Sequence, residues 1–313
     1  MNSMNSLNSL NSMNGTTKSD VYPIPCTKEQ EIGVVFEMTT EVTASNEGNG
    51  SSESDMNNNN NNNLELKQTV STGDDDATVV QAMPARIIVA EGGDMLAAKE
   101  RWRRILQWRE ENDIDALLTT PQVHYDTIKK CYPHYFHRLD KTGKYYCYYS
   151  QPGLFDMAAM TAKGVTMDDL IQHNCFIFEF MWKRANRHSD GKLVTVIDMK
   201  GLGFRQMISG ATKQLLKQTV KIGSEYYPER TYKTLIVNVP TWFSVVWNLV
   251  KVFLSERSLK KISILRGNYK EELEALVNVE AVPVCFGGEC ENAPYGGALE
   301  VAMQEHVDRM RVL

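Results

Sequence analysis

From Pro84 onward the chain alternates between helical and strand-like patterning. Gly92-Gly93 leads into Asp94, a good N-cap, and Ala98, Trp102, Ile105 and Leu106 recur at helical spacing. That predicts an amphipathic helix from Asp94 to about Asn112. A second helical stretch is expected over His124–Cys131, after the turn at Pro121. The texture then changes. Tyr145–Tyr149 is aromatic and strand-like, and Leu193–Ile197 is a short β-branched run suited to a buried strand. Further strands are expected at Thr234–Val239 and Lys261–Leu265. Helices are expected from Thr166 to about Arg187, and over Gln206–Gly223, Lys270–Leu276 and Gly297–Arg309. Strands separated by helix-length segments predict an α/β fold with a largely parallel sheet.

One segment breaks this pattern. Between Thr241 and Leu254 the apolar residues Trp242, Phe243, Val245, Val246, Trp247, Leu249, Val250, Val252, Phe253 and Leu254 fall on every face of a helix. Such a helix is either a central core element or one that meets something oily on both sides, and periodicity does not separate the two. The apolar run from Pro240 is broken by Lys251 and is too short to span a bilayer.

Composition divides the chain. Asn-Ser dipeptides through Asn14, the homopolymer Asn57–Asn63 and the cluster Asp74-Asp75-Asp76 predict a disordered tail over 1–83, with Ile32–Met38 as a possible docking patch. That tail holds 3 Lys+Arg and 12 Asp+Glu, and the remainder holds 31 and 27, a net +4. A mildly basic folded part can approach an anionic membrane but argues against nucleic acid as a partner. The N-terminus lacks a basic and then apolar leader, so no secretory signal is expected. The six cysteines are scattered without a C-x-x-C pair, which suits reduced thiols in the cytosol.

Enzyme motifs are missing. Gly201-Leu202-Gly203 follows a strand, but Gln206 occupies the third glycine position of a dinucleotide loop. There is no G-x-S-x-G elbow, no phosphate-binding G-x-x-x-x-G-K loop and no H-E-x-x-H. Cys131, His134 and His137 are metal-ligand types, yet they lack a fourth ligand and the usual zinc spacing. Cys175 lies close to His173 without the arginine that a cysteine-phosphatase loop needs, and is expected to be a buried thiol.

Five pieces in order carry a family resemblance. They are Asp94…Lys99…Trp108-Arg109; Tyr132-Pro133…His137…Asp140-Lys141-x-Gly143; Asp198-Met199-Lys200-Gly201; Tyr226-Tyr227-Pro228-Glu229-Arg230 followed by Thr234–Val239 and the apolar segment; and Val284-Cys285-Phe286-Gly287-Gly288. Together, over about residues 84–300, they resemble the CRAL-TRIO lipid-binding family, most closely its phosphatidylinositol-transfer branch. The resemblance implies a sheet flooring an apolar cavity, covered by helices and by a gate helix at Thr241–Leu254. It implies a helical N-terminal module over 84–135, the lipid-binding domain over 136–292 and a closing helix over 293–313.

The implied ligand is a single lipid, with no catalytic group, metal or other cofactor. Implied headgroup contacts are Glu229, Lys261 and Thr195, and implied cavity positions are Phe136, Cys147, Phe180 and Leu193. Trp242, Phe243, Val246, Trp247, Val250 and Phe253 would face the ligand or the membrane from the gate. Glu91-Gly92-Gly93 stands where that branch carries a basic pair, and tyrosine positions of the branch fall on Phe136, Cys147 and Phe180. Tyr146, Tyr148 or Tyr149 could instead supply an aromatic cage, and the cavity leaves room for a sterol or tocopherol-like ligand. The expected protein is a cytoplasmic monomer that visits membrane surfaces transiently. The alternative is a non-transferring protein-interaction module of the same fold.

Overall fold

The computed structural model describes residues 83–185 and 191–312. The tail expected over 1–83, but for Met83, and the Ile32–Met38 patch lie outside them, as do residues 186–190 at the end of the helix expected to reach Arg187.

The N-terminal module opens with α1 (Ala85–Ala90) and α2 (Met95–Glu111). Asp94 caps α2 as expected, its carboxylate accepting from the backbone N–H of Leu96 and Ala97 at 2.9 and 3.0 Å. Ala98 and Ile105 are buried against Ile87. After α3 (Tyr125–Cys131) comes β1 (His134–Leu139), a strand the patterning did not reveal. The chain continues through β2 (Tyr146–Ser150), α4 (Met157–Ala162), α5 (Met167–Phe180) and β3 (Leu193–Asp198). Thr166 and Asp169 form a reciprocal capping box at the start of α5. Asp198 closes β3 by accepting from Lys200 N and Asn238 Nδ2, and the left-handed φ of +80° explains the glycine at 201.

The helix expected over Gln206–Gly223 is two helices, α6 (Phe204–Ile208) and α7 (Gly210–Tyr226). The break is chemical. Ser209 is extended, and its hydroxyl accepts from Thr212 N, so it begins a new helix rather than continuing the old one. Next come β4 (Thr231–Val237), α8 (Phe243–Val250) with a 3-10 turn at Lys251–Phe253, α9 (Glu256–Lys260) and β5 (Ile262–Ile264). α10 (Lys270–Leu276) and α11 (Ala298–Val312) follow.

The five strands form one sheet in sequence order. β1 and β2 are antiparallel and every later pairing is parallel. Its two faces differ. Val194, Val196, Leu235 and Val237 point to one side and pack with Tyr135, Cys147, Tyr149 and Phe286 into a dense core. The other face is divided. On β1 and β2, Phe136 and Tyr148 are covered by Phe176, Ile177 and Phe180 of α5 and by Leu299, Met303 and Val307 of α11. Over β3–β5 the cover is looser: Met207 of α6 and Phe243 and Val246 of α8 cluster with Ile236, Ile197 and Ile262, and the space left beside them forms the site.

Candidate lipid cavity

A cavity of about 760 Å³ lies over the β3–β5 half of the sheet. Its floor is set by strand alternation, with Leu193, Thr195 and Ile197 from β3, Thr234 and Ile236 from β4, and Ile262 from β5. Thr195 pairs with Thr234 across the parallel register, so hydroxyl-bearing residues meet in an otherwise aliphatic floor. One wall is α5, whose Ile171, Asn174, Cys175 and Phe178 share a helical stripe. The opposite wall is α7, through Thr212, Leu215, Leu216, Thr219, Val220 and Ile222. Although α7 carries this apolar stripe along 17 residues, none of its residues is fully buried. A stripe packed on a core would be buried, whereas this one faces open space.

α8 and the following turn close the cavity. Phe243, Val246, Trp247, Val250, Val252 and Phe253 line it, while Val245 and Leu249 are exposed on the outer side. Trp242 is not at the cavity wall. It meets Phe204 of α6 edge-to-face at 5.5 Å.

Glu229 and Lys261 come together at one end. Lys261 Nζ donates to Glu229 Oε2 at 2.7 Å, and Arg257 Nη1 lies 3.6 Å from Glu229 Oε1. Glu229 has φ +59°, an uncommon left-handed backbone for a residue other than glycine. Arg230 beside it lays its guanidinium over Trp182 at 4.3 Å.

Three expected cavity residues sit elsewhere. Cys147 projects from the opposite face of the sheet into the dense core, because it is one residue out of phase with the floor. Phe180 lies two residues from Phe178, which turns it away from the cavity stripe and toward α11. Phe136 shares the cavity-side face but is covered, with Phe178 edge-on at 5.8 Å. Tyr149 points to the dense core with Cys147, so it is not available for an aromatic cage.

The metal-type trio is likewise dispersed. His134 Nε2 meets His173 Nε2 at 2.8 Å, His137 Nε2 reaches Cys290 Sγ at 3.2 Å, and Cys131 packs among apolar residues. Among the described residues no cluster of His, Cys, Asp or Glu could hold a metal ion.

Residues 129–288 match the CRAL/TRIO domain. The chain belongs to the CRAL/TRIO family. It is 30% identical over 226 residues to the phosphatidylinositol/phosphatidylcholine transfer protein SFH7 of Arabidopsis thaliana, covering 69% of this chain and 41% of that protein. It is 29% identical to the Sec14 cytosolic factor of Schizosaccharomyces pombe over 75% of this chain and 82% of that one. The SEC14 cytosolic factor of Eremothecium gossypii is 30% identical, with 72% and 73% covered. The chain thus spans less than half of SFH7 but most of the two fungal proteins. The crystal structure of Sfh5 matches the fold with a TM-score of 0.54 at 20% identity, over 72% of this chain and 80% of that one.

Within this family fold, two arginines of α2 pin the C-terminal ends of α5 and α7, the cavity walls. Arg109 of α2 grips the buried Glu179 through two hydrogen bonds of 2.7 and 3.1 Å, and Tyr227 OH donates to the same carboxylate at 2.9 Å. Burial would raise the Glu179 carboxyl, but Arg109 and Lys183 hold it below its ordinary value. Arg101, a cavity residue that motif matching missed, donates to Glu91 Oε1 at 2.6 Å and to the backbone carbonyls of Ser224 and Glu225. It therefore satisfies carbonyls at the C-terminus of α7. Its signal was hidden, since one arginine on a charged helix face carries no motif.

Proposed function

We propose that the chain holds one hydrophobic ligand in this cavity, with a phospholipid such as phosphatidylinositol as first candidate, and transfers or presents it between membranes. The observation that carries this reading is the aliphatic cavity of about 760 Å³, floored by the sheet and closed by a helix that is apolar on both sides. Ligand sites of this kind commonly fall within about 300–1,000 Å³. Moving acyl chains through water costs on the order of 0.8 kcal/mol per CH₂, so bare lipid desorption is slow and a matching apolar pocket removes that barrier. No bond needs to be made or broken. The names of SFH7 and its relatives support a phospholipid, and Glu229 with Lys261 and Thr195 would meet its polar end. We place the chain as a cytosolic monomer that visits membranes transiently; among the described residues no helix is long and apolar enough to cross one.

A second reading, a module that binds proteins without transferring lipid, draws on Glu91. That carboxylate stands where the transfer branch carries a cation, and it is engaged by Arg101. Native mass spectrometry of the purified chain, followed by organic extraction and lipid identification, separates the two. One tightly held phospholipid per chain is expected. A sterol-like ligand would keep the carrier and discard the phosphatidylinositol assignment. An empty chain that also fails to load from vesicles would overturn the carrier reading.

A further inference from the structure

A second, smaller cavity of about 430 Å³ opens between α7 and α8 on the side away from the sheet. Ile208, Val245 and Leu249 line it together with Lys213 and Lys217. Its inner wall is shared with the main cavity, because Leu216, Val220, Val246 and Val250 line both. One layer of aliphatic side chains is therefore all that parts the two spaces. Lys217 holds its ammonium 5.9 Å from the centre of the Phe253 ring at the same edge.

Charge around this groove has one sign. The segments 204–221 and 241–254, which meet here, contain Arg205, Lys213, Lys217, Lys221 and Lys251 and no Asp or Glu. Beside these cations Val245 and Leu249 are each 51% exposed and Val252 is 69% exposed. Apolar side chains half in water beneath a cationic rim match the boundary of an anionic bilayer, where phosphates sit above acyl chains. A soluble protein partner would have to bring both an acidic rim and an apolar ridge. A bilayer presents both everywhere on its surface.

We propose that this groove is an acyl-chain subsite used at an anionic membrane. One chain of the arriving or departing lipid lies between α7 and α8 and reaches the main cavity by displacing the shared aliphatic side chains. Lys213 and Lys217 hold the headgroup phosphates of the surrounding bilayer. The inference rests on the lipid-binding reading of the main cavity. It adds a side route in which a flexible chain threads between helices, with Val246 and Val250 moving on the scale of side chains.

The test uses the full chain and vesicles of phosphatidylcholine and phosphatidylserine that contain a phosphatidylcholine with a photoreactive diazirine near the end of one acyl chain. Irradiation with vesicles present should label Ile208, Val245 or Leu249 as well as floor residues such as Thr195 and Ile236. After vesicles are removed, only floor labels should remain. Floor labels without groove labels overturn the subsite and leave the carrier intact, whereas no label anywhere overturns the carrier reading and the subsite with it. Leu249→Asp, which lies outside the main cavity, should slow exchange with vesicles about tenfold while the amount of lipid held is unchanged. An unchanged rate would also overturn the subsite. The double variant Lys213→Gln/Lys217→Gln should lose about tenfold or more in partitioning to phosphatidylserine-containing vesicles, and little on pure phosphatidylcholine. Equal partitioning of the variant and the parent chain would remove the two lysines from the proposal.

Discussion

His134 and His173 show how far burial decides the chemistry of single residues here. His134 Nδ1 lies 2.7 Å from the Tyr132 carbonyl, which can only accept, so that nitrogen carries the proton. With His134 neutral, its Nε2 accepts from His173 Nε2, and His173 Nδ1 is left as a buried acceptor with no partner. The geometry is satisfied by two neutral rings. Desolvation, with Lys129 nearby, pushes both well below the ordinary histidine range. In the unfolded chain each titrates near 6.5, so below that pH the unfolded state takes up protons that the folded state refuses. Their stabilisation is complete above about pH 6.5 and is lost as pH falls through it, with a limiting slope of roughly 1.4 kcal/mol per pH unit per ring. Urea unfolding between about pH 7.5 and 5.5 should show this fall, to which His137, lowered by burial to about 4, adds a third ring, and His173→Gln should remove roughly a third of the slope. A flat profile would mean that the pair is not neutral. Sequence showed His134 and His137 only as ligand types near Cys131, and His173 only as a neighbour of Cys175. The spacing of 134 and 137 gave no sign that one meets α5 and the other Cys290. The same limit applies to Cys147 and Phe180, where a shift of one or two residues in matching turns a side chain to the other face.

At the scale of elements, patterning made the parallel strands, α2, α3, α5, α10 and α11 legible, and physical exceptions hid β1 and the break between α6 and α7. β1 reads His-Tyr-Phe-His-Arg-Leu, with histidines on an edge strand, so it lacks a clean alternation. Its edge is covered instead by a polar clasp. Glu300 of α11 accepts from the backbone N–H of Phe136 at 2.8 Å and from Lys129 Nζ at 2.6 Å, and Lys129 also donates to the His134 carbonyl at 2.9 Å. Both side chains are almost fully buried. Removing one partner strands a buried charge, so Glu300→Leu should destabilise the fold by about 3–5 kcal/mol. Lys129→Met/Glu300→Leu should recover much of that loss, since neither charge then remains and what is lost is one partner each of the Phe136 N–H and the His134 carbonyl. Chemical denaturation of both variants measures the coupling. A double variant no more stable than Glu300→Leu would show that the ion pair is not what the clasp depends on. α7 carries the opposite lesson, because a helix was expected there but the space it faces was not visible.

For the whole molecule, the two ends of the cavity divide the work between apolar volume and charge. Five ordered motifs were enough to announce the family, while motif order did not show which polar groups meet at the cavity. Glu229 emerges from a left-handed backbone at the start of β4, and Lys261 arrives at the start of β5 from the far side of the gate segment. Their 2.7 Å contact makes the cavity mouth polar while its floor stays aliphatic. With Arg257 3.6 Å away, two cations share one carboxylate, which leaves a net positive group for a phosphate to engage. Lys261→Ala should therefore weaken phosphatidylinositol loading by roughly tenfold to a hundredfold, the scale of a charged hydrogen bond of about 1.5–3 kcal/mol. Loading of an uncharged apolar lipid should change little, because that ligand uses only the floor and the gate. Parallel loading assays from vesicles with each lipid decide the point. Equal losses for both lipids would make the lysine a structural partner of Glu229, and a selective loss would make it the contact that reads the headgroup.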